Sequence, residues 1–159
     1  MAKQLSKIGL DKSLSKKLAD ELNVLLSNYE IYYQSVRGLH WNIKGKNFFE
    51  LHVKFEELYN DAQVKIDDIA ERILTLGFTP LHTFEDYIKN AKVEVGRDIS
   101  EATPAVNLIV DSLKALVVLE REILDTAEEL NDEGTLTLLT DFITEQEKTI
   151  WMFNSWLGK

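Results

Sequence analysis

Cysteine is absent from the 159-residue chain, which excludes disulfides and thiolate metal sites; any metal must be held by His, Asp and Glu. That ligand set favours iron, zinc or manganese. No run of 18 apolar residues is present, and the opening MAKQLSKIGLDKSLSKK lacks the continuous apolar block of a signal peptide, so a cytosolic protein is expected. Basic residues are outnumbered, 18 Lys and Arg against 27 Asp and Glu, and the net charge of −9 sets the bulk surface against DNA and anionic membranes and in favour of metal cations. What the chain does have is 45% hydrophobic residues, enough for a sizeable core at this length. One domain over residues 1–159 is expected, with residues 1–10 as a short N-terminal tail.

Apolar residues recur at helical spacing through most of the chain. Leu18, Leu22, Leu25, Tyr29, Tyr32, Val36 and Leu39 mark a first helix from a cap at Asp11 or Ser13 to about His40. Its tyrosines are core and interface filler, and near an oxidising metal tyrosines can also carry radicals. A second helix, about Asn47 to Leu76, carries Leu51, Phe55, Leu58, Ala62, Ile66, Ile69 and Ile73 and is closed by Gly77 and Pro80. A long connection follows in which TFEDYIKNA reads as one short helix; a simple up-and-down bundle would need only a few residues here. Thr103 and Pro104 read as the cap and first turn of a third helix, and NDEG at 131–134 as the turn into a fourth that ends near Gly158. Glu120 falls within the apolar stripe of the third helix, where it is either a buried ligand or, the preferred assignment, a surface ion pair or rim residue. Four helices, with a short extra one in the long connection between the second and third, make an all-α bundle.

The chemistry gathers between His40 and Arg72, in HWNIKGKNFFELHVKFEELYNDAQVKIDDIAER. NIKGKN is a turn, so the two helices beside it bring His40 and His52 together. Asp67 and Glu71 are four apart and share one helix face. Fifteen residues separate His52 from Asp67, about 22 Å along a continuous helix, against metal–ligand distances of about 2 Å. The two pairs therefore serve different purposes, or a second subunit completes the site. An antiparallel copy related by a two-fold axis would bring each carboxylate pair to the partner's histidines and create two equivalent sites. Glu56, one turn after His52, is placed to orient the imidazole, and Trp41 adjoins His40. His82 has no ligand-type partner at helical spacing and is read as structural or exposed.

The segment HWNIKGKNFFELHVKFEELY followed by DDIAER resembles the signature of the Dps family, ferritin-like proteins that protect DNA during starvation. The resemblance implies a ferritin-like four-helix bundle, and an inter-subunit ferroxidase site built from His40 and His52 of one subunit with Asp67 and Glu71 of its mate. It further implies a homo-oligomer, a dodecamer, that oxidises Fe(II), generally with hydrogen peroxide, and stores iron as Fe(III) mineral in a hollow shell. Trp41 and Trp151 are candidates to trap stray oxidising equivalents, with packing the plainer role and the preferred one for Trp151. Asp132, Glu133, Asp141 and Glu145 are candidates to line a three-fold pore. A ferritin centre inside the bundle is disfavoured, because that centre uses Glu-x-x-His pairs, and here Glu145 is followed three residues later by Lys148. A nucleoid-binding protein is the alternative, with Lys3, Lys7, Lys12, Lys16 and Lys17 as a basic arm; the tail is short, and any DNA binding is expected to be weak.

Overall fold

The computed structural model describes residues 4–159, so Lys3 and the first residues of the tail lie outside it. Five helices follow in order: α1 (Lys12–Asn42), α2 (Phe48–Thr75), α3 (Phe84–Asn90), α4 (Ala102–Leu130) and α5 (Glu133–Trp156). No named strand occurs among the described residues; a single antiparallel bridge joins Leu5 to Asp11. The architecture is the expected all-α bundle of four long helices with a short one in the connection between the second and third.

Local chemistry sets most boundaries. Asp11 caps α1, its carboxylate accepting from the Ser13 and Leu14 amides at 3.0 Å each. At the end of α2, Gly77 takes φ 94°, and the Phe78 amide donates to the Ile73 carbonyl at 3.1 Å, a left-handed cap that requires glycine's freedom. Asn131 plays the same part after α4 at φ 56°. The turn there is tighter than NDEG: α5 begins at Glu133, with Asp132 as its cap and Gly134 already helical. The start of α4 also differs. Glu101, not Thr103, is the cap, which puts Thr103 and Pro104 inside the first turn. Proline is tolerated there because amides of the first turn have no intrahelical acceptor to lose.

Leu18, Leu22, Leu25, Phe55, Ile69, Ile73, Ile109, Leu116 and Ile123 are fully buried and form the centre of the core. By length and composition α4 is apolar enough to cross a membrane, although Asp111 and Lys114 interrupt its run. Its inner stripe, from Ala105 through Ala127, is packed in the bundle core.

Glu120 and Lys65 are among the polar residues buried in this core. Glu120 is fully buried, contrary to its assignment to the surface or rim. The Tyr29 hydroxyl donates to Glu120 Oε1 at 2.6 Å, and Gln146 Nε2 donates to the same oxygen at 2.9 Å and to Tyr29 Oη. Burial raises the Glu120 carboxyl from 4.5 to about 7 against the opposing pull of these hydrogen bonds. Lys65 is also buried, its ammonium held by Asp61 at 2.5 Å and Glu145 at 2.7 Å.

Candidate metal centre

The turn after α1 folds His52 back onto His40. Gly45 supplies φ 102° in that turn, and the Lys44 amide is anchored on the Ser100 carbonyl at 2.9 Å. The two imidazoles stack at 3.8 Å between centroids with 14° between planes. His40 Nδ1 lies 2.7 Å from the His52 carbonyl, and His52 Nδ1 lies 2.8 Å from the His40 carbonyl. A carbonyl only accepts, so each Nδ1 carries a proton, and in the neutral ring the lone pair is then on Nε2. The reciprocal bonds fix both rings in the tautomer that leaves Nε2 open. They also satisfy the His40 carbonyl, in the last turn of α1, where no further helical amide follows.

The orienting acceptors are thus backbone carbonyls. Glu56 does not take that part; its carboxylate accepts from the Tyr59 hydroxyl at 3.3 Å. Tyr59 contacts the His40 ring edge-on at 5.3 Å, and Phe48 stacks on His52 at 4.9 Å, so aromatic surfaces pack against both imidazoles. Trp41 is exposed, with the Arg37 guanidinium 4.8 Å over its ring.

Asp67 and Glu71 stand exposed on the far half of α2, which runs unbroken from Phe48 to Thr75. The structure therefore brings the histidines together and the carboxylates together, but does not join the pairs. No group of three or more metal-ligating side chains exists in one chain among the described residues. The carboxylates belong to one exposed stripe of α2 that also carries Phe49, Val53, Glu56, Asn60, Val64 and Leu74. Its apolar members are 53–82% exposed, and α3 adds Phe84 and Ile88 at 80% and 70%. Large apolar side chains left open in this way mark a surface built to meet another.

Other expected sites are redistributed. His82 is exposed, its ring bonded to the Pro80 carbonyl at 2.9 Å. Asp132 is withdrawn from any pore by burial, accepting from Arg72 at 2.5 Å and from Thr135 Oγ1 at 2.5 Å. Glu145 is engaged by Lys65, while Glu133 and Asp141 remain exposed. The buried Tyr29, Glu120 and Gln146 cluster was not anticipated. Its signal was there: a polar residue interrupts the apolar stripe of α4 and another that of α5.

The ferritin-like domain family matches residues 17–159. The chain is 37% identical to the DNA protection during starvation protein of Porphyromonas gingivalis over 159 residues, covering 100% of both. It is 34% identical to general stress protein 20U of Bacillus subtilis, over 91% of this chain and 100% of that protein. Among solved structures, the Dps protein of Vibrio cholerae O1, described as a member of a broad superfamily of ferritin-like diiron-carboxylate proteins, superposes with a TM-score of 0.95 at 49% identity, covering 99% of each chain. From the bundle, the histidine hairpin and full-length similarity of this kind, it follows that the chain belongs to the Dps family of ferritin-like proteins.

Proposed function

We propose that this protein is a ferroxidase and iron-storage mini-ferritin, acting on Fe(II) at sites shared between two subunits. His40 and His52 of one subunit and Asp67 and Glu71 of its mate bind the iron. The observation that carries the reading is the locked histidine pair, two Nε2 lone pairs presented from rings 3.8 Å apart. An antiparallel pairing of α2 about Asn60 places residue numbers near 52 opposite numbers near 67 and 71, and the exposed apolar stripe gives such a pairing its adhesive surface.

Imidazole nitrogens accept Fe(II) readily, and anionic carboxylates favour the harder Fe(III), so the mixed donor set assists oxidation in place. Iron is the substrate: each Fe(II) gives one electron, and the oxidant assigned is hydrogen peroxide, two Fe(II) per peroxide. The Fe(III) product is stored as mineral in a dodecameric shell within the cytoplasm. Protection of DNA is ascribed to removal of iron and peroxide rather than to direct binding. The net charge is −9, the segment from Gln4 to Asp11 folds back through the Lys12 amide to the Gln4 carbonyl, and Lys16 and Lys17 are paired with Asp20 and Glu21.

The test is the rate of Fe(II) oxidation by hydrogen peroxide in wild type and in a His40→Ala, His52→Ala double variant whose assembly is checked separately. Rapid oxidation in the wild type, lost in an assembled variant, is expected. Equal rates would return the histidines to a structural role.

A further inference from the structure

Of the five tyrosines, Tyr29 differs from the rest in what its hydroxyl meets. It is 1% exposed, and its phenolic proton points at a fully buried carboxylate 2.6 Å away. Tyr32 is also buried, at 3% exposed, but its hydroxyl has no partner among the described residues. Tyr87 donates to the Leu81 carbonyl at 2.9 Å, with the half-buried Glu30 carboxylate also beside its hydroxyl, and Tyr59 reaches Glu56 only at 3.3 Å from a half-exposed position, so Tyr29 alone pairs with a fully buried carboxylate.

This placement determines which reaction the core permits. Ionising Tyr29 alone would put a second negative charge beside Glu120, and burial together with that carboxylate raises the phenol well above its ordinary range. Removing an electron and the proton together has the opposite effect. The phenol and carboxylate become a neutral phenoxyl radical and a neutral carboxylic acid, so a buried charge disappears. The low-dielectric core that forbids the phenolate thus favours the coupled step.

We propose that Tyr29 and Glu120 form a buried redox-active pair, a sink for one-electron oxidising equivalents separate from the histidine and carboxylate site. A one-electron oxidant of the strength of hydroxyl radical gains the electron, and the Tyr29 proton moves to Glu120 Oε1. A later one-electron reductant returns the electron to Tyr29, and the proton moves back from Glu120. Gln146 Nε2 bonds both oxygens and holds them in register. A groove of about 350 Å³ whose lining includes Tyr32, Asp61, Glu145 and Gln146 lies beside the cluster, and the buried Tyr32 Oη and Gln146 Oε1 have no hydrogen-bond partner among the described residues.

The charged and titratable groups around Glu120 are Tyr29 and Tyr32 from α1, Asp61 and Lys65 from α2, Arg121 from α4, and Glu145, bound to Lys65, from α5. The pair accepts the phenolic proton only when Glu120 is ionised, so the yield of radical rises with pH through neutrality.

The experiment uses assembled, iron-free full-length protein and flash-generated ruthenium(III) tris-bipyridine as oxidant, with the products frozen and read by electron paramagnetic resonance. The expected result is a long-lived tyrosyl signal whose hyperfine structure changes with ring-deuterated tyrosine. It falls to background in Tyr29→Phe and in Glu120→Gln but persists in Tyr33→Phe. The wild-type yield increases from pH 5 to pH 8, whereas that of Glu120→Gln is low and flat. Circular dichroism and size establish that each variant is folded and assembled, and Glu120→Gln decides the matter should Tyr29→Phe not assemble. A wild type with no persistent tyrosyl signal, or a Glu120→Gln protein with the wild-type yield and pH profile, overturns the proposal. Because no iron is present, the outcome is independent of whether the histidine site oxidises iron.

Discussion

A buried carboxyl leaves a mark on stability that the hydrogen bonds around it do not erase. Glu120 is raised to about 7 in the folded protein, chiefly by burial, from an ordinary 4.5. Below that lower value both folded and unfolded chains hold the proton and nothing is lost. As pH rises toward 7 the unfolded chain ionises first, so stability falls, by about 3 kcal/mol in all at 1.36 kcal/mol per unit. Glu120→Gln abolishes the effect: measured by denaturant midpoints, the variant gains on the wild type between pH 4.5 and 7 and holds that gain at pH 8. A constant difference across this range would contradict the assignment. His40 and His52 were legible as a pair from the turn between them. The mutual backbone bonds that fix their tautomer were not, because no spacing rule reveals where a ring nitrogen points. Glu56 illustrates the same limit: one turn from His52 in sequence, it turned out to bond a neighbouring tyrosine.

At the level of elements, the bundle is tied at places where a side chain from one helix completes the end of another. Arg72 of α2 donates through Nε to Thr135 at 2.9 Å and through Nη2 to Asp132, the cap of α5. Its guanidinium passes over Gly134, where an added Cβ would lie 2.6 Å from Nη1. Gly134→Ala is therefore expected to lower the melting temperature, even though alanine in an open helical position gains about 1 kcal/mol over glycine. In an Arg72→Ala background the same change becomes stabilising, and the double-mutant cycle reads the reversal directly. Independent, additive effects would show that Arg72 does not set the requirement for glycine. Asn28 closes the long connection, its Oδ1 accepting from the Lys92 and Val93 amides at 2.8 and 2.9 Å. Asn28→Ala strands both amides, at about 1–3 kcal/mol for each that water does not reach, and should speed amide exchange in the connection. The helices were legible because apolar residues recur along each of them. The start of α4 was misplaced because Thr103 and Pro104 imitate a cap while sitting comfortably inside a first turn.

For the whole molecule the governing fact is division. One chain holds two imidazoles locked by reciprocal backbone bonds and, more than half of α2 away, two exposed carboxylates on a stripe with large open apolar side chains. The sequence revealed this division through a count of residues along one unbroken helix, since fifteen residues cannot be folded out of α2. It could not supply the partner surface, whose geometry is a property of two chains. Replacing Ile88 with Glu puts a charge into the exposed apolar surface of α3 and is expected to weaken assembly, seen as smaller species by sedimentation, with iron oxidation lost in proportion. The most direct measurement is complementation. Subunits carrying His40→Ala and His52→Ala are dissociated, mixed with subunits carrying Asp67→Ala and Glu71→Ala, and reassembled. Each parent alone is inactive. If every site takes its histidines from one chain and its carboxylates from another, a mixed pair holds one intact site of two, and random pairing restores about one quarter of wild-type Fe(II) oxidation. Assembled mixtures that remain as inactive as their parents would contradict a site shared between subunits.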